Sequence, residues 1–433
     1  MKTAIGLRAD VAAGPGNGST PAHAGGVPPR RPRGRSSASI TFVSLCLCVW
    51  VGFLPGCQGP RIRGPIRAIW VTRFDYRTPD DVKQIIDDCA AAGFNVILFQ
   101  VRGNGTAFYR SKLEPWADEL GGTDPGWDPL QVACEQAHRR GVALHAYVNA
   151  MPAWRGTQPP ANPEQLYNRH PEWFWYDQHG NRQALSSFYV SLNPCLPEVR
   201  AYIVAVFEDL VSRYDVDGLH LDYIRFPNEP PATPRGSGID YPRDARTLAL
   251  FREATGKTPD DDPAAWNRWR TDCVTQVVAD THAMLRRVKP RAVLSAAVGA
   301  VRQNALAHFQ DAQQWMQDGL VDAVFLMNYT DSPETFAQRI DPWLEIESQA
   351  AVVPGLWFGR HEGKSVEEAA AAVKEQIEIA RAKTGHFCLF AYSSLFDSRD
   401  QERRQRDERQ RQIRQVRRDI LLPVLKALAM ESR

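Results

Sequence analysis

Val216-Asp-Gly-Leu-His-Leu-Asp-Tyr-Ile-Arg-Phe226 is an apolar run that finishes in charge. On a strand, alternate side chains point to opposite faces. Leu219 and Leu221 therefore face one way, and His220 and Asp222 the other. A helical pattern over Pro197–Tyr214 precedes the run, and helical segments between Tyr241 and Lys289 follow it. The same rhythm extends outward in both directions. Upstream lie Ile66–Asp75 with a helix over Pro79–Ala92, Phe94–Gly103 with a helix over Pro129–Arg140, and Val142–Met151 before a long loop. Downstream lie Ala292–Ala300 with a helix near Asp311–Asp318, Val321–Thr330 with Pro333–Ile346, Val352–Gly359 with Val366–Lys383, and His386–Phe396 before a charged helix.

Strands that alternate with helices imply right-handed parallel crossovers. The runs are apolar on both faces, as strands covered by helices must be. Eight of them predict an α/β chain folded as a single (β/α)8 TIM barrel with long βα loops, over roughly residues 65–430. Glycines at 93, 141, 319 and 385 stand where helices should stop before the next strand.

Composition narrows the function. Among 433 residues, 43% are hydrophobic and 24% charged, so the chain is neither disordered nor a multispan membrane protein. Lys+Arg 52 against Asp+Glu 50 leaves +2, without the basic excess of a nucleic-acid binder. The mixed-sign stretch from Arg399 to Asp419 reads as a solvated helix face. Residues 1–57 read as an address: a Gly/Pro/Ala/Arg-rich tail, a basic cluster at Arg30, Arg31, Arg33 and Arg35, and an apolar run from Ile40 to Leu54. That run ends in Leu54-Pro-Gly-Cys57, which is similar to a bacterial lipobox with Cys57 as the lipidated residue. The expectation is an exported protein anchored to a membrane of the bacterial cell envelope. Five cysteines remain in the barrel segment, an odd number, and no disulfide framework is expected.

In such a barrel the site forms where strands end and βα loops begin. Reading only those ends gives Arg73 and Asp75, Gln100 and Arg102, His145 and Asn149, His220, Asp222 and Arg225, Asn328, Tyr329 and Asp331, Glu362, and Tyr392. Asp222, flanked by His220 and Arg225, suits a nucleophile or charge stabiliser at an oxocarbenium-like transition state. Glycoside cleavage also needs an acid for the leaving oxygen. Asp331 after the sixth strand ranks first and Glu362 next, with Asp75 and Glu114 as further rim carboxyls and Glu172 and Asp177 in the third loop. That third loop, about residues 152–196, carries Trp154, Trp173, Phe174, Trp175 and Tyr176. Trp154 and Trp173 are the rings expected to stack on sugar. The histidines come from separate strands, so no metal and no cofactor are expected. The alternative function is a carbohydrate-binding envelope protein without turnover.

These segments together resemble the bacterial glycosyl-hydrolase-like family 10. The resemblance rests on Arg67-Ala-Ile-Trp-Val71, Phe94-Asn-Val-Ile-Leu-Phe-Gln-Val-Arg102, Tyr109 with Ser111, Asp128-Pro-Leu130, His145-Ala-Tyr-Val-Asn149, His170-Pro-Glu-Trp173, Leu192-Asn-Pro194, Pro197-Glu-Val-Arg200, Tyr214-Asp-Val-Asp-Gly-Leu-His-Leu-Asp222 and Val321-Asp-Ala-Val324. It implies a glycosidase barrel with a strand-four Asp, here Asp222, as nucleophile. It also implies a polysaccharide substrate of the cell-wall, peptidoglycan type. Distant galactosidase-like barrels place their acid after strand six, which favours Asp331 by analogy. Many members carry a second acidic residue directly after the strand-four Asp; here Tyr223 stands there.

Overall fold

Local signals set the helix limits. In a computed structural model, which describes residues 64–226, 239–361, 363–398 and 408–431, α1 (Pro79–Ala92) starts with a capping box of Thr78 and Asp81. Gly93 stops it in the left-handed conformation at φ 94°. Helix α2 (Pro129–Arg140) starts on Asp128, whose side chain accepts from the backbone N–H of Leu130 and Gln131. Both helices have the limits the sequence predicts. The expectations on residues 1–57, including Cys57, and on Glu362 lie outside the described residues.

Among the described residues, ten strands follow in chain order: β1 (Arg67–Val71), β2 (Val96–Arg102), β3 (Ala143–Asn149), β4 (Pro152–Gly156), β5 (Ser186–Ser191), β6 (Gly218–Asp222), β7 (Val293–Gly299), β8 (Ala323–Met327), β9 (Ala351–Trp357) and β10 (Phe387–Phe390). Eight of them form a closed parallel barrel in the order β1-β10-β9-β8-β7-β6-β3-β2. The fold is the (β/α)8 barrel read from the periodicity. The strands are shorter than the apolar runs, because those runs continue into the loops that build the mouth.

The remaining two strands were not foreseen. β4 and β5 pair antiparallel as a ribbon between the third barrel strand and the helix Pro197–Arg213. The ribbon occupies the two ends of the segment that reads as one long loop.

The barrel's interior and its helix-facing surface are separately apolar. Ala68, Trp70, Leu98, Tyr147, Phe325 and Val353 pack together inside the barrel. Ile69, Ile97, Leu144, Leu219, Leu294 and Val324 join the layer between strands and helices. At the N-terminal end, carboxylates peg adjacent strands. Asp217 accepts from the Leu144 N–H at 2.8 Å, and Asp322 from the Leu294 N–H and from Arg286, both at 2.6 Å. These acidic residues of the quoted segments serve the fold, at the end opposite the mouth.

Candidate active site

At the C-terminal end of the barrel the strand ends enclose a cavity of about 230 Å³. Asp222 closes β6 and lines it, and among the described residues it is the only carboxylate that does so. Three donors converge on its oxygens. The Tyr147 hydroxyl donates to Oδ2 at 2.8 Å. The Tyr223 backbone N–H donates to Oδ1 at 2.6 Å, and Arg225 Nη1 to the same oxygen at 3.3 Å. Each donor stabilises negative charge on the carboxylate. Burial, and after it the Asp222 charge, raises the Tyr147 phenol well above its ordinary range. Its hydroxyl thus stays protonated and available as a donor.

Tyr223 shows what holds this geometry. Its φ is 50°, in the left-handed region that costs a non-glycine residue about 1–2 kcal/mol. Turning the chain there sends the backbone after the strand into the turn that carries Arg225 back to Asp222. Its ring lies 4.6 Å below the Arg225 guanidinium. Strain of this kind gathers at functional sites.

The floor is Trp70, on β1. Its indole N–H donates to His220 Nε2 at 3.1 Å, and His220 Nδ1 meets the Ser295 hydroxyl at 2.9 Å. An Nε2 that accepts leaves the proton on Nδ1. Burial, with His145 adding to it, lowers His220 well below 6.5, so this ring is neutral. His220 therefore buttresses the floor and does not touch Asp222.

One wall comes from β1, β2 and β3. Gln100 accepts from the Arg73 N–H at 3.0 Å and donates to Asn149 at 3.1 Å. Asn149 donates in turn to the Gly103 carbonyl at 2.9 Å. The Arg73 side chain is 2% exposed and packs where a Cβ on Gly103 would lie 2.4 Å from it. It bridges Glu119 and the Tyr189 hydroxyl, each at 3.1 Å. Burial works to lower the Arg73 pKa, but Tyr189 and Glu119 outweigh it and the net shift is upward. Aromatic and apolar side chains, Tyr329, Phe390, Met327 and Phe74, complete the lining.

The structure brings Arg73, Gln100, Asn149, Asp222, Arg225 and Tyr329 to one cavity. It places the other expected residues elsewhere. His145 is buried in the interior against Gly218, and burial lowers it to about 4. Arg102 pairs with Glu114 and holds backbone carbonyls. Asp75 accepts from the Thr72 N–H and hydroxyl. Trp154 donates to the Gln158 carbonyl, and Trp173 stacks on His170 at 3.8 Å and packs on Tyr202 of the helix Pro197–Arg213, so neither ring lines the cavity. Asn328 holds the Phe336 carbonyl. Tyr392 reaches Asp88 on α1 at 2.7 Å, behind the strands. Asp331 is exposed and is not part of the cavity wall.

The wall residues missed in the sequence include Tyr147, Tyr189 and Trp70, and the apolar lining of Phe74, Met327 and Phe390. Tyr147 had a signal, since it shares the inward row of His145 and Asn149. Tyr189 had none, because no periodicity marks the ribbon.

The chain is similar to known proteins along most of the barrel. The family model for glycosyl hydrolase-like 10 matches residues 65–376. The chain belongs to that family. Glycosyl hydrolase DigH of Escherichia coli K12 is 26% identical over 307 residues, which is 60% of this chain and 64% of that protein. Glycosyl hydrolase YngK of Bacillus subtilis is 24% identical over 317 residues, 65% of this chain and 58% of that protein. The chain thus spans somewhat under two thirds of each. Among solved structures, the PgaB (BpsB) glycoside hydrolase domain of Bordetella bronchiseptica superimposes with TM-score 0.56 at 14% identity, covering 81% of this chain and 99% of that one. The catalytic domain of β-amylase from Paenibacillus polymyxa gives 0.51 at 11%, covering 77% and 94%. At these identities the likeness is one of fold, that of glycoside hydrolase barrels.

Proposed function

We propose that this glycosyl hydrolase-like barrel is an exported, lipid-anchored glycoside hydrolase of the cell envelope that cleaves a cell-wall polysaccharide of the peptidoglycan type. One observation carries the reading: Asp222 stands in a polar and aromatic cavity at the barrel mouth, fixed by the Tyr147 hydroxyl, the Tyr223 N–H and Arg225. A carboxylate held this way meets positive charge developing at an anomeric carbon, either by attack or by electrostatic stabilisation. Gln100, Asn149 and Arg73 present polar groups beside aromatic faces, the pairing that a sugar's hydroxyls and C–H surfaces require. The relatives named glycosyl hydrolases support the reaction class.

The test is Asp222→Asn on peptide-free peptidoglycan glycan strands, followed by release of reducing ends. The rate is expected to fall by about 10²–10⁴ with the fold intact by circular dichroism. A variant as fast as the parent refutes the assignment. A second reading, glycan binding without turnover, draws on the single carboxylate among the described lining residues. It predicts retention of strands with no reducing ends formed by the parent protein.

A further inference from the structure

The cavity does not end at Asp222. On the side of the ribbon, its aromatic wall runs outward onto the surface. Tyr223 and Tyr189 stand with ring centroids 5.2 Å apart. Phe188, the next residue on β5, is half-buried, 5.3 Å from Tyr189 and 6.4 Å from Tyr223. Beyond Arg73, half-buried Phe74 lines the cavity under the Arg73 guanidinium at 4.2 Å. Arg155, exposed on β4, lies 5.8 Å from the centroids of both Phe74 and Tyr189. Its Nε donates to the Ser187 carbonyl at 2.9 Å, which ties the two ribbon strands together.

Two features separate this run from ordinary core. Its inner rings belong to the cavity wall, while its outer rings and Arg155 keep contact with solvent. The rings are also flanked by guanidinium groups, which donate hydrogen bonds in a plane and stack on aromatic faces. Half-exposed rings beside such donors suit a pyranose, with C–H faces on the rings and hydroxyls toward the donors. Trp154 and Trp173 do not line the cavity, so the half-exposed rings beside it come from the ribbon and the β1 loop.

We infer that Phe74 and Phe188, with Arg155 at their edge, form an outer sugar-binding subsite continuous with the Asp222 cavity. The ligand is then an oligosaccharide chain crossing the ribbon, with one ring at Asp222 and its neighbour stacked outside. This rests on reading the cavity as a saccharide site, and it adds the direction in which the chain leaves and the need for more than one sugar. Remote binding of this kind is used at the reacting centre, so truncated ligands lose turnover as well as affinity.

The experiment uses soluble glycan oligomers of graded length prepared from peptide-free peptidoglycan. Binding is measured by calorimetry on Asp222→Asn protein, and reducing-end release on the otherwise unaltered chain. The parent is expected to favour longer oligomers. Phe188→Ala should weaken long-chain binding roughly three- to tenfold while leaving the shortest bound ligand unchanged. Arg155→Ala should give a smaller loss in the same direction, and its thermal midpoint shows whether the ribbon remains folded. Equal binding of all lengths by the parent, or an equal loss at all lengths in the aromatic variant, overturns the subsite and leaves the role of Asp222 standing. Full turnover by Asp222→Asn overturns the catalytic reading instead. Failure of the parent to bind any oligomer overturns the subsite together with the choice of glycan.

Discussion

Replacing Glu114 by Gln tests how the mouth is held open. The side chains of Glu114 and Arg102 are both 0% exposed. The guanidinium makes three contacts with the carboxylate, Nε at 3.0 and 2.9 Å and Nη2 at 2.7 Å. Its remaining arm, Nη1, donates to the carbonyls of Asn149 and Ala150, where β3 gives way to the ribbon. Gln keeps nearly the same volume, so no cavity opens and the loss is one of charge. Removing one partner of a fully buried pair leaves the other ion uncompensated, at a cost of about 3–5 kcal/mol. Set against a total stability of roughly 5–15 kcal/mol, that is a large fraction. The assay is urea unfolding, read as a lower midpoint at an unchanged slope. Asp80→Asn is the control: its pair with Lys83 is 92% and 48% exposed and is worth about 0–1 kcal/mol. Because the clamp also fixes the Asn149 backbone, glycan affinity should fall at temperatures where the variant remains folded. A Glu114→Gln protein within about 1 kcal/mol of the parent would refute the clamp.

Two further outcomes follow from charge and from the N-terminal segment. Burial lowers His145 from 6.5 to about 4, so the unfolded chain binds a proton over that interval that the folded chain does not. Stability therefore falls as pH drops from about 6.5 towards 4, by about 3 kcal/mol for this group, and His145→Gln should flatten the curve by that amount relative to the parent; parallel curves would exclude it. Cys57→Ser should abolish incorporation of labelled fatty acid and move the protein from the membrane fraction to the soluble one, and an unaltered membrane share would remove the proposed anchor.

Much of the fold was legible because its signals are local. The limits of α1 and α2 are written in Thr78, Asp128, the prolines after them and the glycines that end the helices. The strands are less sharply bounded, since a parallel strand and the apolar start of its βα loop have the same composition. The ribbon was illegible for a different reason. Its pairing of Trp154 with Val190 joins segments 36 residues apart, with register shifts on both sides, so neither strand shows a clean alternation. The loop tryptophans misled because apolar surface in a long insertion is first used to close the insertion and seat it on its neighbours, as Trp173 does against His170 and against Tyr202 of the following helix.

The site was half legible because alternation gives the direction of a side chain and not its depth. His145, Tyr147 and Asn149 all point inward from β3, and they pair in register with Gly218, His220 and Asp222 of β6. Each step of two residues rises by about 6.5–7 Å along a strand, so these pairs lie in three successive tiers. Which tier meets solvent depends on the stagger of the closed barrel, a property of all eight strands together. His220 and Asp222 are equivalent in the one-strand pattern, yet the first is sealed beneath Trp70 and the second lines the cavity. Reach then corrects for tier. Tyr147 starts level with His220, but its phenol spans a tier and places the hydroxyl 2.8 Å from Asp222. A His in its place would be as deeply buried and too short to donate there. The residue that orients the carboxylate is therefore set by side-chain length as much as by row, and Tyr meets both conditions while remaining protonated in its buried position.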